Sequence, residues 1–201
     1  LAGAFEVMRT KLRDSRQEIE TRTQDIERRN MELSALNDIG VEISALLDVD
    51  KTLNSVVEKA RELLGADVAL LTSFVEKDGR LLVKATSGAR TEAFTSLQLK
   101  SGQGLAGSVV SRGQPIITED YLRDLTILHD NEADSMVREE GLKAHLGVPL
   151  KLGGKVVGAL VVAHRRVYKF QRGEENLLSR LANQAALAIE NKCEFVTTDR
   201  G

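Results

Sequence analysis

Two hairpin signals constrain the fold of this chain more than any other feature. Residues 68–86 contain two runs rich in apolar and β-compatible side chains, separated by the tight-turn pair Asp78-Gly79. Residues 145–164 repeat the pattern around Gly153-Gly154. Because a two-residue loop joins antiparallel strands, the sequence predicts an antiparallel sheet at both places.

Helical patterns lie on both sides of these strands. An apolar stripe with three-and-four spacing runs through residues 53–64 and stops at Gly65, and another runs through residues 177–189 after Phe170. A short strand is expected at residues 115–118. Strands bracketed by helices predict an α+β domain.

The first 36 residues have the pattern of one long helix. Leu12, Ile19, Ile26 and Leu33 recur every seven residues, with no Gly or Pro between them. The flanking heptad positions are mostly polar, so we expect a weak parallel coiled coil that makes the protein a homodimer. A solvated helix lying on its own domain is the alternative.

Composition excludes several classes of partner. A net charge of −2 leaves no basic surface for nucleic acid, and the longest apolar run, residues 156–163, is too short to cross a membrane. The single cysteine, Cys193, agrees with a reducing compartment. We expect a cytoplasmic protein without direct nucleic acid or membrane binding, and a chain that begins at Leu1 is expected to be a fragment.

Short motifs carry a family resemblance. Their order along the chain is a glycine-rich run with a following strand, a second hairpin and an alanine-rich closing helix. The motifs are Gly102-Gln103-Gly104-Leu105-Ala106-Gly107, Gly113-Gln114-Pro115, Leu146-Gly147-Val148-Pro149-Leu150, Gly158-Ala159-Leu160, Phe170 with Glu174 and Glu175, and residues 181–191.

Together these motifs resemble the GAF domain family. The resemblance implies a central antiparallel sheet with helices on one face and a roofed ligand cavity on the other. The expected boundaries are a coiled coil at residues 1–36, the GAF domain at 37–193, and a tail or linker to a missing output domain at 194–201.

The resemblance also implies a function, because GAF domains commonly sense small molecules in kinases, cyclases and transcription regulators. We expect a sensory module of a cytoplasmic signalling protein, and specifically of a bacterial transcription regulator. It would bind a small effector and transmit occupancy through dimeric terminal helices. Alternatives are a ligand-free dimerisation spacer, a haem sensor and a cyclic-nucleotide sensor.

Candidate ligand-binding residues follow from the family's layout. Residues 119–144 have the weakest hydrophobic periodicity and lie where the family places its roof. Candidates from the strands depend on register, since a slip of one residue inverts the face. The roof candidates are Tyr121, Leu125, Leu128, His129, Met136 and Val137, and the strand candidates are Leu71, Ser73, Ile117, His145, Gly147 and Pro149.

Two motifs resemble ligand-binding or metal-binding signatures, but neither is assigned as a site. The spacing GxGxxG at residues 102–107 precedes a helix too short for a dinucleotide-binding crossover, so we assign these glycines to tight packing. The acidic run at residues 130–134 resembles a calcium loop, but Ser135 replaces the loop glycine and Gly141 the bidentate Glu. We read it as a solvated loop without metal.

No cofactor or catalytic residue is expected. His129, His145 and His164 are candidates for a haem ligand, but such histidines more often simply pack or hydrogen-bond. Bilin attachment and the reduction of methionine sulfoxide are both known in the family, but they need cysteines near the cavity. The single cysteine here, Cys193, is expected at the far end of the closing helix. Cyclic-nucleotide-binding members carry Asn-Lys where His164-Arg165 stand here, which weakens that reading.

Overall fold

The chain divides into two compact units, residues 1–44 and 45–201. The predicted coiled coil and homodimer fall outside the described residues and stay predictions. The residues that the computed structural model describes are Arg22 and residues 49–75, 80–91, 94 and 98–198.

Six strands form one sheet in which every pairing is antiparallel, in the order β3-β2-β1-β6-β5-β4. Both predicted hairpins are confirmed, as β1–β2 and β5–β6. Strand β3 was not predicted, because Gln98 and Lys100 leave it a single apolar residue, Leu99, and so no strand pattern. The strands are β1 (Val68–Val75), β2 (Arg80–Ser87), β3 (Gln98–Lys100), β4 (Ile116–Thr118), β5 (Ala144–Leu152) and β6 (Lys155–His164).

Four α-helices and one 3₁₀ turn, Tyr121–Arg123, accompany the sheet within the described residues. The first helix is followed by Gly65 with a φ of 57°, a left-handed conformation that suits glycine at a helix end. The closing helix continues past the expected domain end at 193. The helices are α1 (Val49–Leu63), α2 (Gly104–Arg112), α3 (Asn131–Glu140) and α4 (Arg172–Thr198).

Helices α1 and α4 cover one face of the sheet. Alternate strand residues such as Leu71, Leu146 and Leu160 point to them and have no exposed surface. Helix α4 contributes small side chains, which let its backbone approach the sheet and α1 closely. Its fully buried alanines are Ala182, Ala185, Ala186 and Ala188.

The other face carries a second apolar core beneath α2, the 3₁₀ turn and α3. The strand residues that alternate with those of the first face, such as Val68 and Val161, point to this side and form the floor of the second core. The expected α+β architecture, with helices and a roof on opposite faces of an antiparallel sheet, is thus confirmed. Within the described part of the chain, no helix has the length and apolar character needed to cross a membrane.

Candidate ligand-binding cavity

A small cavity of about 50 Å³ lies between the second face of the sheet and the segments that cover it. Side chains from three adjacent strands, β1, β6 and β5, make its floor. The floor residues are Val68, Leu70, His145, Val161 and Ala163.

The segments that cover the cavity form its roof. Helices α2 and α3 supply most of the roof residues, and β3, the 3₁₀ turn and neighbouring loops supply the rest. Among the described lining residues, only Tyr121 and His145 carry polar side-chain atoms, so the cavity is strongly apolar. The roof residues are Phe94, Leu99, Gly104, Leu105, Ala106, Tyr121, Ala133, Met136, Val137 and Leu142.

Tyr121 is the largest polar group at the cavity. Its side chain is 1% exposed, and its buried hydroxyl has no hydrogen-bond partner. Burial, and after it the neighbouring Asp134 carboxylate, raises the pKa of Tyr121 far above its ordinary value, so the hydroxyl keeps its proton. The ring packs between His129 and His145, at centroid distances of 5.0 and 5.2 Å.

His145 presents an uncharged imidazole to the floor. Its Nδ1 lies 3.0 Å from the carbonyl oxygen of Lys143, and because a carbonyl only accepts, Nδ1 carries the proton. Burial lowers the pKa of His145 to about 4. At neutral pH, Nε2 is therefore an unprotonated acceptor.

His129 packs against Tyr121 and, unlike His145, favours its protonated form. Its Nδ1 lies 3.0 Å from Oδ1 of Asp134 and its Nε2 3.1 Å from the carbonyl oxygen of Asp124. The hydrogen bond to Asp134 is the main cause that raises the pKa of His129. Both partners accept, so the doubly protonated ring satisfies both.

The end of α3 is clamped by a buried carboxylate. Oε1 of Glu140 accepts from the backbone N–H groups of Arg90 (2.8 Å) and Thr91 (2.7 Å), and from the Thr91 hydroxyl (2.9 Å). Arg165 donates to Oε2 of Glu140 at 2.9 Å. The backbone N–H of Arg165 donates to Asp67 at 2.8 Å, so one arginine joins the roof to the segment after α1.

The acidic run at residues 130–134 is a helix start, which corrects its reading as a solvated loop. Asp130 Oδ1 accepts from the backbone N–H groups of Glu132 (3.1 Å) and Ala133 (3.2 Å), and so caps α3. Ala133 then lies in the cavity wall. Within the described residues no group of His, Cys, Asp and Glu side chains is arranged to hold a metal ion.

The structure brings four of the predicted site residues together around the cavity: Tyr121, Met136, Val137 and His145. His129 lies one layer behind, against Tyr121. His164 sits on the other face of the sheet, beside Tyr168 and Phe170, so the three histidines do not converge.

Other predicted positions need correction. Leu71 lies in the core on the helix-covered face, and Ile117, paired with Leu146, lies on that same side. Leu125 and Leu128 are 95% and 63% exposed on the surface of the roof segment.

Three further predicted residues are buried but lie outside the cavity lining. Ser73 pairs with Gly158. Helix α2 packs over Gly147, where a Cβ atom would come 2.8 Å from Val109 Cγ2. Pro149 pairs with Ala159 farther along β5.

Sequence reasoning missed most of the apolar lining. Leu105 and Ala106 belong to the glycine-rich run that was assigned to architecture alone, yet both face the cavity. The apolar residues that flank those glycines were the available signal. Val68 and Leu70 would have followed from a register placed one residue earlier in β1.

Comparisons with known proteins agree with this geometry. The GAF domain family matches residues 48–189. The chain is 30% identical to the HTH-type transcriptional activator RamA of Corynebacterium glutamicum over 115 residues, covering 57% of this chain and 40% of that protein. It is 24% identical to a Nif-specific regulatory protein of Azospirillum lipoferum over 133 residues, covering 66% and 21%.

A solved structure shares the fold along most of the chain. The GAF domain from a phosphoenolpyruvate-protein phosphotransferase (ptsP) of Coxiella burnetii is 27% identical, with a TM-score of 0.67, over 82% of this chain and 96% of that one. The chain spans less than half the length of the regulators it matches. The match over residues 48–189, together with the sheet, the roof and the cavity, identifies the chain as a member of the GAF domain family.

Proposed function

We propose that this chain is the sensory part of a cytoplasmic regulatory protein and that it binds a small effector in the cavity. The observation that carries this is the partly enclosed apolar cavity between sheet and roof, with two polar groups at its wall. The regulators that the chain resembles support control of transcription as the output. The output domain would lie in the part of such a regulator that this chain does not span.

Effector entry would require the roof to move. Pockets for metabolites commonly have about 300 Å³ or more, whereas this cavity has about 50 Å³. Glu140 holds the last turn of α3, and hydrogen bonds of Asp130 and His129 hold its first turn, so entry would have to break one of these two sets of contacts.

Movement of α3 would reach the terminal helices through Arg165. This residue binds Glu140 in the roof and Asp67 directly after α1. An effector that prefers one arrangement tenfold biases the equilibrium by about 1.4 kcal/mol. We propose that residues 1–36 of two chains pair and read this shift.

A ligand-free spacer is the second candidate. The small volume of the cavity favours it, because Phe94, Met136 and their neighbours already fill most of the space under the roof. In that case the domain would only hold two chains together.

Catalysis is not part of the proposal. The one cysteine of the sequence, Cys193, belongs to α4, far along the chain from the cavity-lining segments. Thiol chemistry in the cavity would need a cysteine in its wall.

Thermal-shift screening of a broad metabolite library, with haem and cyclic nucleotides included, tests the proposal. Wild type and Ala163→Val, which fills the cavity from its floor, would be screened in parallel. A sensor gives at least one compound that raises the melting temperature of wild type only. If no compound does so, the spacer function replaces the sensory one.

Light scattering of the chain with and without residues 1–36 tests whether this segment makes it a dimer.

A further inference from the structure

We propose that the cavity selects a compact, uncharged molecule with an apolar body and one hydroxyl group, and that this hydroxyl hydrogen-bonds to Tyr121. This inference rests on the proposed sensory function and names the chemical class of the effector. Four features support it: the side chains of Tyr121 and His145, the absence of charge in the described lining, and the size of the cavity.

The hydroxyl of Tyr121 is the first step. It is buried in a residue of the cavity wall and makes no hydrogen bond of ordinary length and angle, although the Asp134 carboxylate lies close enough to raise its pKa. Buried polar atoms without partners are rare in folded proteins, and each calls for an explanation. A ligand atom that accepts from this hydroxyl supplies the missing partner.

His145 makes a hydroxyl the best complement. Its Nδ1–H is committed to the carbonyl of Lys143, which leaves Nε2 as an acceptor. The rings of Tyr121 and His145 pack against each other, with centroids 5.2 Å apart, so the two polar side chains belong to the same part of the cavity wall. A hydroxyl accepts from Tyr121 and donates to His145, whereas a carbonyl can do only the first.

The lining excludes charged ligands. Among the described lining residues there is no Lys, Arg, Asp or Glu. A carboxylate, phosphate or ammonium group in this cavity would be buried without a counter-charge, which is strongly unfavourable.

The volume limits the apolar body. An engineered cavity of about 150 Å³ holds benzene, so a cavity of about 50 Å³ accepts one small ring only after the roof moves outward and enlarges it about threefold. Met136 offers a flexible side chain for this adjustment. A single ring or a short aliphatic chain is therefore the largest body expected.

Three probes of similar size test the class: phenol, toluene and benzoate. They would be titrated into the whole chain by calorimetry and ligand-detected NMR. The variants are Tyr121→Phe and, as a matched control, Tyr168→Phe, whose hydroxyl donates to Glu174 on the other side of the sheet. Phenol should bind wild type at millimolar concentration at least fivefold more tightly than toluene, and benzoate should not bind.

The variants separate a ligand-binding hydroxyl from a structural one. Tyr121→Phe should lose at least fivefold in phenol affinity and leave toluene binding unchanged, while Tyr168→Phe should bind phenol as wild type does. Without ligand, the melting temperature of Tyr121→Phe should equal or exceed that of wild type, because no bond is lost. A lower value would mean that Asp134 or another group already pairs with the hydroxyl, and would overturn the proposal.

Two further outcomes have different consequences. If benzoate binds as well as phenol, or Tyr121→Phe keeps full phenol affinity, the proposed class is wrong while a sensory function stands. If none of the three probes binds and the broad metabolite screen is also empty, the sensory function itself fails.

Discussion

Arg165 Nη2 lies 2.9 Å from Oε2 of Glu140, a carboxylate with no exposed surface at the end of the roof helix. The same guanidinium donates from Nε to the backbone carbonyl of Glu140 and from Nη2 to that of Gly88. One side chain thus holds α3 against the ends of two strands. The stability of the roof should depend on it.

Replacing Arg165 with Met should lower the free energy of unfolding by about 2–3 kcal/mol. The substitution keeps the aliphatic stem but leaves the Glu140 carboxylate buried without its counter-charge, the costly way to break such a pair. Urea unfolding followed by circular dichroism measures the change.

The matched control is Arg172→Met at the exposed start of α4, which should stay within about 0.5 kcal/mol of wild type. Equal effects of the two substitutions would mean that the Arg165–Glu140 pair contributes nothing.

Acid should weaken the clamp through Glu140. Burial pushes the pKa of Glu140 up, but hydrogen bonds from Thr91, Arg90 and Arg165 together outweigh it and hold the pKa below the ordinary 4.5. A lowered carboxyl pKa gives stability that is complete above the unfolded pKa and is lost as pH falls through the folded one.

The test compares Glu140→Gln with wild type from pH 7 to pH 3. The variant should be less stable at pH 7, and the gap should narrow below about pH 4.5. A gap that stays constant with pH would show that Glu140 does not titrate in this range.

His145 should add a second pH dependence at higher pH. Its pKa falls from 6.5 to about 4 on burial, so the unfolded chain binds the proton first as pH falls. Stability should therefore decline between pH 6.5 and 4, by up to about 3 kcal/mol from this residue.

Asn in place of His145 keeps a donor for the Lys143 carbonyl but does not titrate. The slope of stability against pH should thus be smaller in His145→Asn than in wild type. His164, whose pKa burial also lowers, titrates in both proteins and cancels in the difference. Parallel curves for the two proteins would contradict the assignment.

Gly158 should be irreplaceable where β6 passes β1. A Cβ atom there would lie 2.0 Å from the backbone oxygen of Thr72, and the paired strands leave that oxygen no room to move. Gly158→Ala should cost about 3 kcal/mol or more. Gly173→Ala, with nothing within 4 Å of the new Cβ in the first turn of α4, should be neutral or slightly stabilising. Thermal unfolding of both variants decides this.

The sequence patterns could predict the strands but not which face each residue occupies. Both hairpins carry a turn pair between apolar runs, so their existence and pairing were readable. Strand β1 is buried on both faces, with Val68, Ala69, Leu70 and Leu71 all covered, so its sequence has no polar alternation to fix the register. Leu71 was misplaced for that reason.

The roof could be predicted only in part: Tyr121, Met136 and Val137 line the cavity, while the other roof candidates do not. Helix α3 buries only one narrow side, formed by Ala133, Met136, Val137 and Glu140, and its acidic first turn hides that pattern. Leu125 was chosen as an apolar residue in the roof segment, but it projects into solvent. Hydrophobicity alone does not tell a cavity wall from an exposed loop.

Filling the cavity should stabilise the protein and abolish ligand binding together. Ala163 lies on the floor and is 2% exposed, and Ala163→Val adds two methyl groups toward a void of about 50 Å³ with a side chain that suits a strand. The expected gain in unfolding free energy is about 0.5–1 kcal/mol, with phenol binding lost. Ala69→Val, on the packed opposite face, is the control and should destabilise by about 1–3 kcal/mol. If Ala163→Val destabilises as much as the control, the void does not accept even two methyl groups, and the prediction that filling it stabilises the protein is wrong.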